Sequence, residues 1–221
     1  MSTAVQPRQL NPLLATYLRH LSTHPLRTKA LTTAFLQFVQ EILASHLAGT
    51  PPPRVPKDAS PLTRALARAH VSSKAVKMAI YGALVSAPVA HALVSALQRA
   101  FSGRTGLAAR AGMILASQLV VAPVQIFLYL SSMAVINGAK SLDEVLKTVN
   151  AGFGKVIRIS WMTGPLYTIF AQQFLPPEMW VPFFNFMQFL TGTYFNTKIK
   201  KMRLEAEAKE KKEKDGEPKT E

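Results

Sequence analysis

Four long stretches of this chain carry no Asp, Glu, Lys or Arg, and they constrain its fold more than any other feature. Met78 to Gln98 is 21 residues and Ala111 to Ala139 is 29, while Ile159 to Pro177 and Met179 to Thr197 are 19 each. A helix rises about 1.5 Å per residue, so about 20 apolar residues cross the hydrocarbon core of a bilayer. The stretch from Ala111 is the richest, with Met113-Ile114-Leu115, Leu119-Val120-Val121 and the run Ile126 to Leu130. A soluble chain of 221 residues has little use for four such segments. The reading is an all-α, polytopic transmembrane helix bundle of about four spans; the competing reading is a buried helical core.

The segment Thr28 to Ala48 has helical apolar spacing through Leu31, Phe35, Val39, Ile42 and Leu43, but also carries Gln37, Gln40 and Glu41. It is read as a first span packed inward, with a surface amphipathic helix as the alternative. The last two charge-free stretches are separated by Pro176-Pro177-Glu178 and form one or two crossings, giving four or five spans. The layout is then a cytosolic N-terminal segment, residues 1–27, a transmembrane domain, 28–197, and a charged cytosolic tail, 198–221. The spans fall near 28–48, 77–101, 111–138 and 159–197. Residues 49–64 are a Pro-rich connector, and residues 140–158 are read as a loop. Trp161 and Trp180 each open a segment, a position that suits the headgroup level.

Charged residues make up 17% of the chain, yet the net charge is +14. The Lys-rich tail is nearly balanced, with nine basic and seven acidic residues, so most of the excess flanks the hydrophobic segments. That distribution suits anionic lipid headgroups and excludes a nucleic-acid footprint. With four spans both termini share one side, which holds 16 basic residues against 10 and is therefore cytosolic; without the tail the counts are 7 and 10. The N-terminus has no secretory signal pattern. Arg8, Arg19, Arg27 and Lys29 without an acid in residues 1–40 resemble a mitochondrial presequence, although Pro12 and Pro25 interrupt it.

Leu84-Val85-Ser86-Ala87-Pro88-Val89 recurs as Leu119-Val120-Val121-Ala122-Pro123-Val124, with a looser version at Thr163-Gly164-Pro165-Leu166. Pro88, Pro123 and Pro165 therefore mark kinked helices, since each removes a backbone donor. Gly82, Ser86 and Ala90 at spacing four form a small-residue packing face. Gln118, Gln125 and Ser132 recur every seven residues with Tyr129 on the same face; His91, Ser95 and Gln98 form a second polar stripe, and Asn185, Gln188 and Thr191 a third. Uncharged donors and acceptors of this kind either glue helices together or line a water-filled path. The pore-lining candidates are Gln118, Gln125, Tyr129, Ser132 and His91. No ring of one charge sign appears in the spans, so a path lined this way selects by size.

Catalytic chemistry has little to stand on. Zero cysteines remove thiolate metal sites, disulfides and a cysteine nucleophile. His20 and His24 have metal-ligand spacing without a third ligand, and Gly152-Phe153-Gly154 lacks the third glycine of a dinucleotide fingerprint. Asp143 and Glu144 are adjacent rather than opposed. The expectation is a protein that is not an enzyme, without cofactor or metal.

Several motifs resemble the Mpv-seventeen and peroxisomal-membrane-protein-twenty-two family of small integral membrane proteins of peroxisomes and the inner mitochondrial membrane. They are Tyr17-Leu18-Arg19-His20-Leu21 with His24-Pro25-Leu26-Arg27-Thr28-Lys29-Ala30; Tyr81-Gly82 with Pro88 and His91; Gln118 with Pro123 and Gly138; and Trp161 with Pro165. The similarity runs over roughly residues 12–200. Gln40-Glu41 stands where the family often has Gly-Asp, Ser117-Gln118 for Asp-Gln, and Gly164-Pro165 for Trp-Pro, which resembles a fungal peroxisomal branch. The resemblance implies four spans, cytosolic termini, a multi-pass place in the peroxisomal membrane and a weakly selective pore for small-molecule solutes. The lipid bilayer, peroxisomal membrane-targeting factors and further copies of the chain are the implied partners. A mitochondrial inner-membrane channel and a scaffold without pore activity are the alternatives.

Overall fold

The computed structural model describes residues 11–216 apart from residues 54, 57–59, 105 and 177–178. Prolines and short polar caps open the first helices. Pro12, Pro25 and Pro61 occupy first-turn positions, where no amide donor is needed, in α1 (Pro12–Thr23), α2 (Pro25–Leu47) and α3 (Pro61–Arg68). Asn11 Oδ1 accepts the Leu13 amide at 2.9 Å, and Ser60 Oγ accepts that of Thr63 at 3.2 Å. His24 is the hinge residue between α1 and α2, so His20 and His24 lie at a helix junction. There follow α4 (Ser73–Tyr81), α5 (Ala87–Ala100), α6 (Leu107–Ala116), α7 (Ala122–Ile136), α8 (Leu142–Phe174) and α9 (Trp180–Gly216). No strand occurs among the described residues. Gly138, at φ +104°, stops α7: its amide reaches Val135 and that of Ala139 reaches Ala134, a left-handed C-terminal turn that favours glycine.

The repeated proline motif has a specific structural meaning. α4 runs into α5 through a widened turn at Gly82–Ser86, and α6 into α7 through another at Ser117–Val121. The Ala87 amide bonds the Gly82 carbonyl and the Ala122 amide that of Ser117, each five residues back. The extra residue per turn lets Pro88 and Pro123 sit inside long helices without ending them. Pro165 stays within regular α8, where the hydroxyls of Thr163 and Thr168 bond the carbonyls of Ile159 and Gly164 at 2.9 Å.

The joined helices Ser73–Ala100 and Ala111–Ile136 are long and apolar enough to cross a membrane, with mean hydropathies of 1.6 and 2.1. Large apolar side chains are exposed along them, including Leu84, Leu115 and Leu119, as are Leu166, Phe174 and Leu190 on α8 and α9. Meanwhile Gln40, Glu41 and Asn196 are buried. Buried polar and charged groups beneath an exterior rich in large apolar side chains are unusual in a water-soluble fold and match a hydrocarbon solvent.

The helices and the charge-free stretches do not share all their ends. The segment read as a first span is α2, which packs on α4 and α9 with Gln40, Glu41, Ala44 and Ser45 inward. Residues 140–158 are not a loop: Ser141 caps α8, and Asp143 and Glu144 fall in its first turn, where the helix dipole favours acids. The stretch 159–197 is two helices broken near Leu175. α9 runs unbroken through residue 198 to Gly216. Its Glu and Lys residues are good helix formers, and Arg203 and Glu207 pair at 2.9 Å one turn apart.

The apolar core sits toward one end of the bundle. Ile126 and Leu130 of α7 pack with Val149, Val156 and Ile157 of α8 and Phe195 of α9. Met78 and Tyr81 meet Met133 beside them.

Candidate functional site

Toward the other end, the helices part around a cavity of about 900 Å³ with a contiguous inner lobe of about 370 Å³. Chain direction orders its walls. At one edge stand Lys29 near the start of α2, Gln98 near the end of α5, Met113 in α6 and Trp180 at the start of α9. Deeper come Gln37, Ser86, Gln118, Gln125, Gly164 and Tyr167, which line both parts. The inner lobe reaches Tyr81, Tyr129, Gly192 and Phe195, where the apolar core begins. A space this size holds about 30 waters or a small organic solute.

Close approaches of small residues shape it. A Cβ at Gly82 would lie 3.0 Å from the Thr33 carbonyl oxygen and 3.2 Å from Ala34 Cα, so the widened turn presses directly on α2. The Gln118 side chain rests against Gly164 and that of Gln40 against Gly192. Ser86 Oγ donates to Gln125 Oε1 at 3.2 Å, and Gln125 Nε2 donates back to the Ser86 carbonyl at 3.4 Å, tying the two proline-bearing helices. Tyr167 and Thr191 hydroxyls lie 3.1 Å apart.

Of the pore-lining candidates, His91, Gln118 and Gln125 line the main cavity, and Gln118, Gln125 and Tyr129 line the inner lobe. Ser132 lines neither. It shares the helix face of Gln125 but lies about two turns farther along α7, beyond Tyr129, where Leu130 and Met133 fill the space. Of the other stripes, Gln98, Asn185, Gln188 and Thr191 line the cavity or its lobe, and Ser95 does not. The small-residue face is divided: Gly82 contacts α2, Ser86 bonds α7, and Ala90 faces the cavity. Trp161, read as a headgroup anchor, donates its indole N–H to the Gln118 carbonyl at 2.9 Å. That carbonyl lies five residues before Pro123, in the register of the widened turn, so the proline leaves it without an amide partner.

The inner lobe carries open hydrogen-bonding capacity. Gln37 Oε1 and the Tyr129 hydroxyl are buried without a protein partner, and each is placed to bond a polar molecule in the lobe. Below it lies a charged cluster that sequence reasoning missed in part. Glu41 accepts from Asn196 Nδ2 at 2.7 Å and Lys200 Nζ at 2.5 Å, with Lys74 Nζ at 3.5 Å; Lys200 also bonds Ser45 Oγ at 2.6 Å. Gly192, Asn196 and Lys200 at spacing four were the signal that this face of α9 continues inward. Among the described residues no group of His, Asp and Glu is arranged to hold a metal ion.

Comparison with known proteins agrees with the family read from the motifs. Residues 134–196 match the Mpv17 / PMP22 family. Over 193 residues the chain is 49% identical to the Woronin body membrane protein wscA of Aspergillus fumigatus, covering 87% of this chain and 79% of that one. It is 47% identical over 193 residues to the Woronin sorting complex protein of Neurospora crassa, covering 87% of this chain and 59% of that one. It is 22% identical over 191 residues to Peroxisomal membrane protein PMP22 of Arabidopsis thaliana, covering 86% and 92%. No solved structure matches.

Proposed function

The chain belongs to the Mpv17 / PMP22 family of membrane proteins, and from that premise we propose that it is a multi-pass protein of the peroxisomal or Woronin body membrane whose bundle encloses a size-limited path for small solutes. The observation that carries this reading is the amide-lined cavity inside a bundle with an apolar exterior. Glutamine, serine, threonine and tyrosine side chains substitute for hydration of a polar solute without binding it tightly. The path is closed in this conformation: beyond Tyr129 lie Leu130, Ile126 and the Glu41 cluster. Passage requires that end to open. We assign the protein no catalytic role.

The test is conductance of the purified full chain in planar bilayers. Stepwise currents are expected from wild type, with size-dependent exclusion of neutral sugars. Silent bilayers from protein that is folded by circular dichroism and monodisperse in detergent would sink the pore reading. Tagging the chain and imaging it against peroxisomal and mitochondrial markers tests the membrane assignment.

A second reading has its own support. Relatives at 49% and 47% identity are named for the Woronin body membrane and a sorting complex, and α9 extends as a charged helix well past the apolar segment. On this reading the extension docks other proteins and the cavity is incidental. Truncation after Arg203 then abolishes organelle assembly while leaving conductance intact.

A further inference from the structure

The cavity that the pore reading rests on is not electrically neutral. Among the described residues, its lining contains two basic side chains, Lys29 and His91, and no carboxylate. Lys29 Nζ lies 3.4 Å from His91 Nδ1. An ammonium has donors and no acceptor, so when Lys29 is charged, Nδ1 is the acceptor and His91 carries its proton on Nε2. The pair then offers the remaining ammonium hydrogens and is left with no acidic partner: among the described residues, no carboxylate lies within 4 Å of Lys29. Among the described residues the one deeply buried acid, Glu41, is already compensated by Lys200 and Lys74, outside the lining.

Neighbouring groups extend the donor set. Thr33 lies one turn from Lys29 on α2, and Asn185 of α9 and Gln188 one turn beyond it line the same space. Asn185 Nδ2 is held toward the Tyr17 hydroxyl at 3.4 Å. A half-buried cation beside amide and hydroxyl donors, with no acid in reach, is complementary to one small anion. The edge at Gln98 and Trp180 gives it access.

We propose that Lys29 and His91 form an anion subsite that takes a small monocarboxylate and biases the path toward anions. This rests on the pore reading for its transport consequence, but the binding itself does not. A planar carboxylate accepts from Lys29 with one oxygen and from an amide or hydroxyl with the other, and a charge-assisted bond of this kind is worth about tenfold or more in affinity.

The experiment has a binding arm and a transport arm. Carbon-13 acetate is titrated into detergent-solubilised full chain and its carboxyl resonance followed for broadening. Wild type and Lys29→Arg are expected to broaden it, and Lys29→Gln to lose at least about tenfold in apparent affinity. Equal broadening by wild type and Lys29→Gln, or none by either, overturns the subsite. A lipid headgroup phosphate offers similar anionic chemistry. If short-chain phosphatidylglycerol displaces acetate at lower concentration than lactate does, the site belongs to lipid and the carboxylate proposal fails. In bilayers, reversal potentials in potassium chloride and potassium acetate gradients are expected to favour the anion in wild type and to shift toward potassium in Lys29→Gln. Open channels with unchanged reversal potentials overturn the subsite's transport role and leave the pore standing. Silent channels with intact acetate binding overturn the pore and leave the subsite standing.

Discussion

Glu41 of α2 and Lys200 of α9, 159 residues apart in sequence, pair at 2.5 Å below the inner end of the cavity. Asn196 and Ser45 occupy further hydrogen-bonding positions of the pair. This contact fastens the C-terminal helix to the first long helix. Removing Lys200 leaves the buried Glu41 carboxylate with the more distant Lys74, at 3.5 Å, and the Asn196 amide, so the loss stays below the figure of about 3–5 kcal/mol for a wholly uncompensated buried charge. Lys200→Met is therefore expected to lower stability by about 1–3 kcal/mol, and Glu41→Leu combined with Lys200→Met to recover a substantial part. Denaturant unfolding in mild detergent, followed by circular dichroism, reads both variants. Equal stability of wild type and Lys200→Met would mean that the pair is solvated.

At Gly82 the backbones of two helices approach closely. An added Cβ meets the Thr33 carbonyl oxygen at 3.0 Å, a backbone atom that moves only with α2 itself. Gly82→Ala is expected to destabilise by about 1–3 kcal/mol through overpacking. Gly154 is the internal control, since a Cβ there meets nothing within 4 Å. Gly154→Ala in α8 is expected to be neutral or stabilising by up to about 1 kcal/mol, because alanine has the better helix propensity. Similar losses at both positions would refute the close contact at Gly82.

Trp161 and Pro123 are coupled through one carbonyl. The indole N–H bonds Gln118 O, which Pro123 leaves without an amide donor. Trp161→Phe is expected to cost about 1 kcal/mol. Pro123→Ala restores a backbone N–H and an ordinary helical turn, so the double variant is expected to lose less than Trp161→Phe does alone. The double-mutant cycle measures this directly. Strict additivity would show that the indole bond does not serve that carbonyl.

The bundle was readable because membrane-length gaps in charge survive any detail of packing: the helices Ser73–Ala100 and Ala111–Ile136 lie close to the gaps Met78–Gln98 and Ala111–Ala139. The repeat Ala87-Pro88 and Ala122-Pro123 was visible too, but not its form, since a widened turn and a plain kink share the same residues. Lys29 and Lys200 were assigned to flank and tail because a lysine at a span end normally reaches the interface. Which lysine turns inward depends on the neighbouring helix, and a single strand of text does not contain that neighbour. Lys29, Thr33, Gln37 and Gln40 do share a stripe at helical spacing, and it marked the cavity-facing side of α2. Ser132 shows the opposite limit: periodicity finds a face but not the depth at which a cavity ends.

That depth gives the sharpest test of the path. Gln125 and Ser132 lie seven residues apart on one face of α7, yet Gln125 lines both parts of the cavity and Ser132 lines neither. Gln125→Leu removes the bonds to Ser86 and replaces a hydrating amide with an apolar group in the narrow part. Single-channel conductance is expected to fall several-fold, because each desolvated step along the path raises the barrier by about 1 kcal/mol or more. Ser132→Ala removes only a hydroxyl and lies outside the lining, so its conductance is expected to match wild type. Planar-bilayer recordings of both variants, each checked for helicity and monodispersity, decide the matter. Equal loss at Gln125 and Ser132 would place the conducting path elsewhere along α7, and no loss at Gln125 would take it out of this cavity altogether.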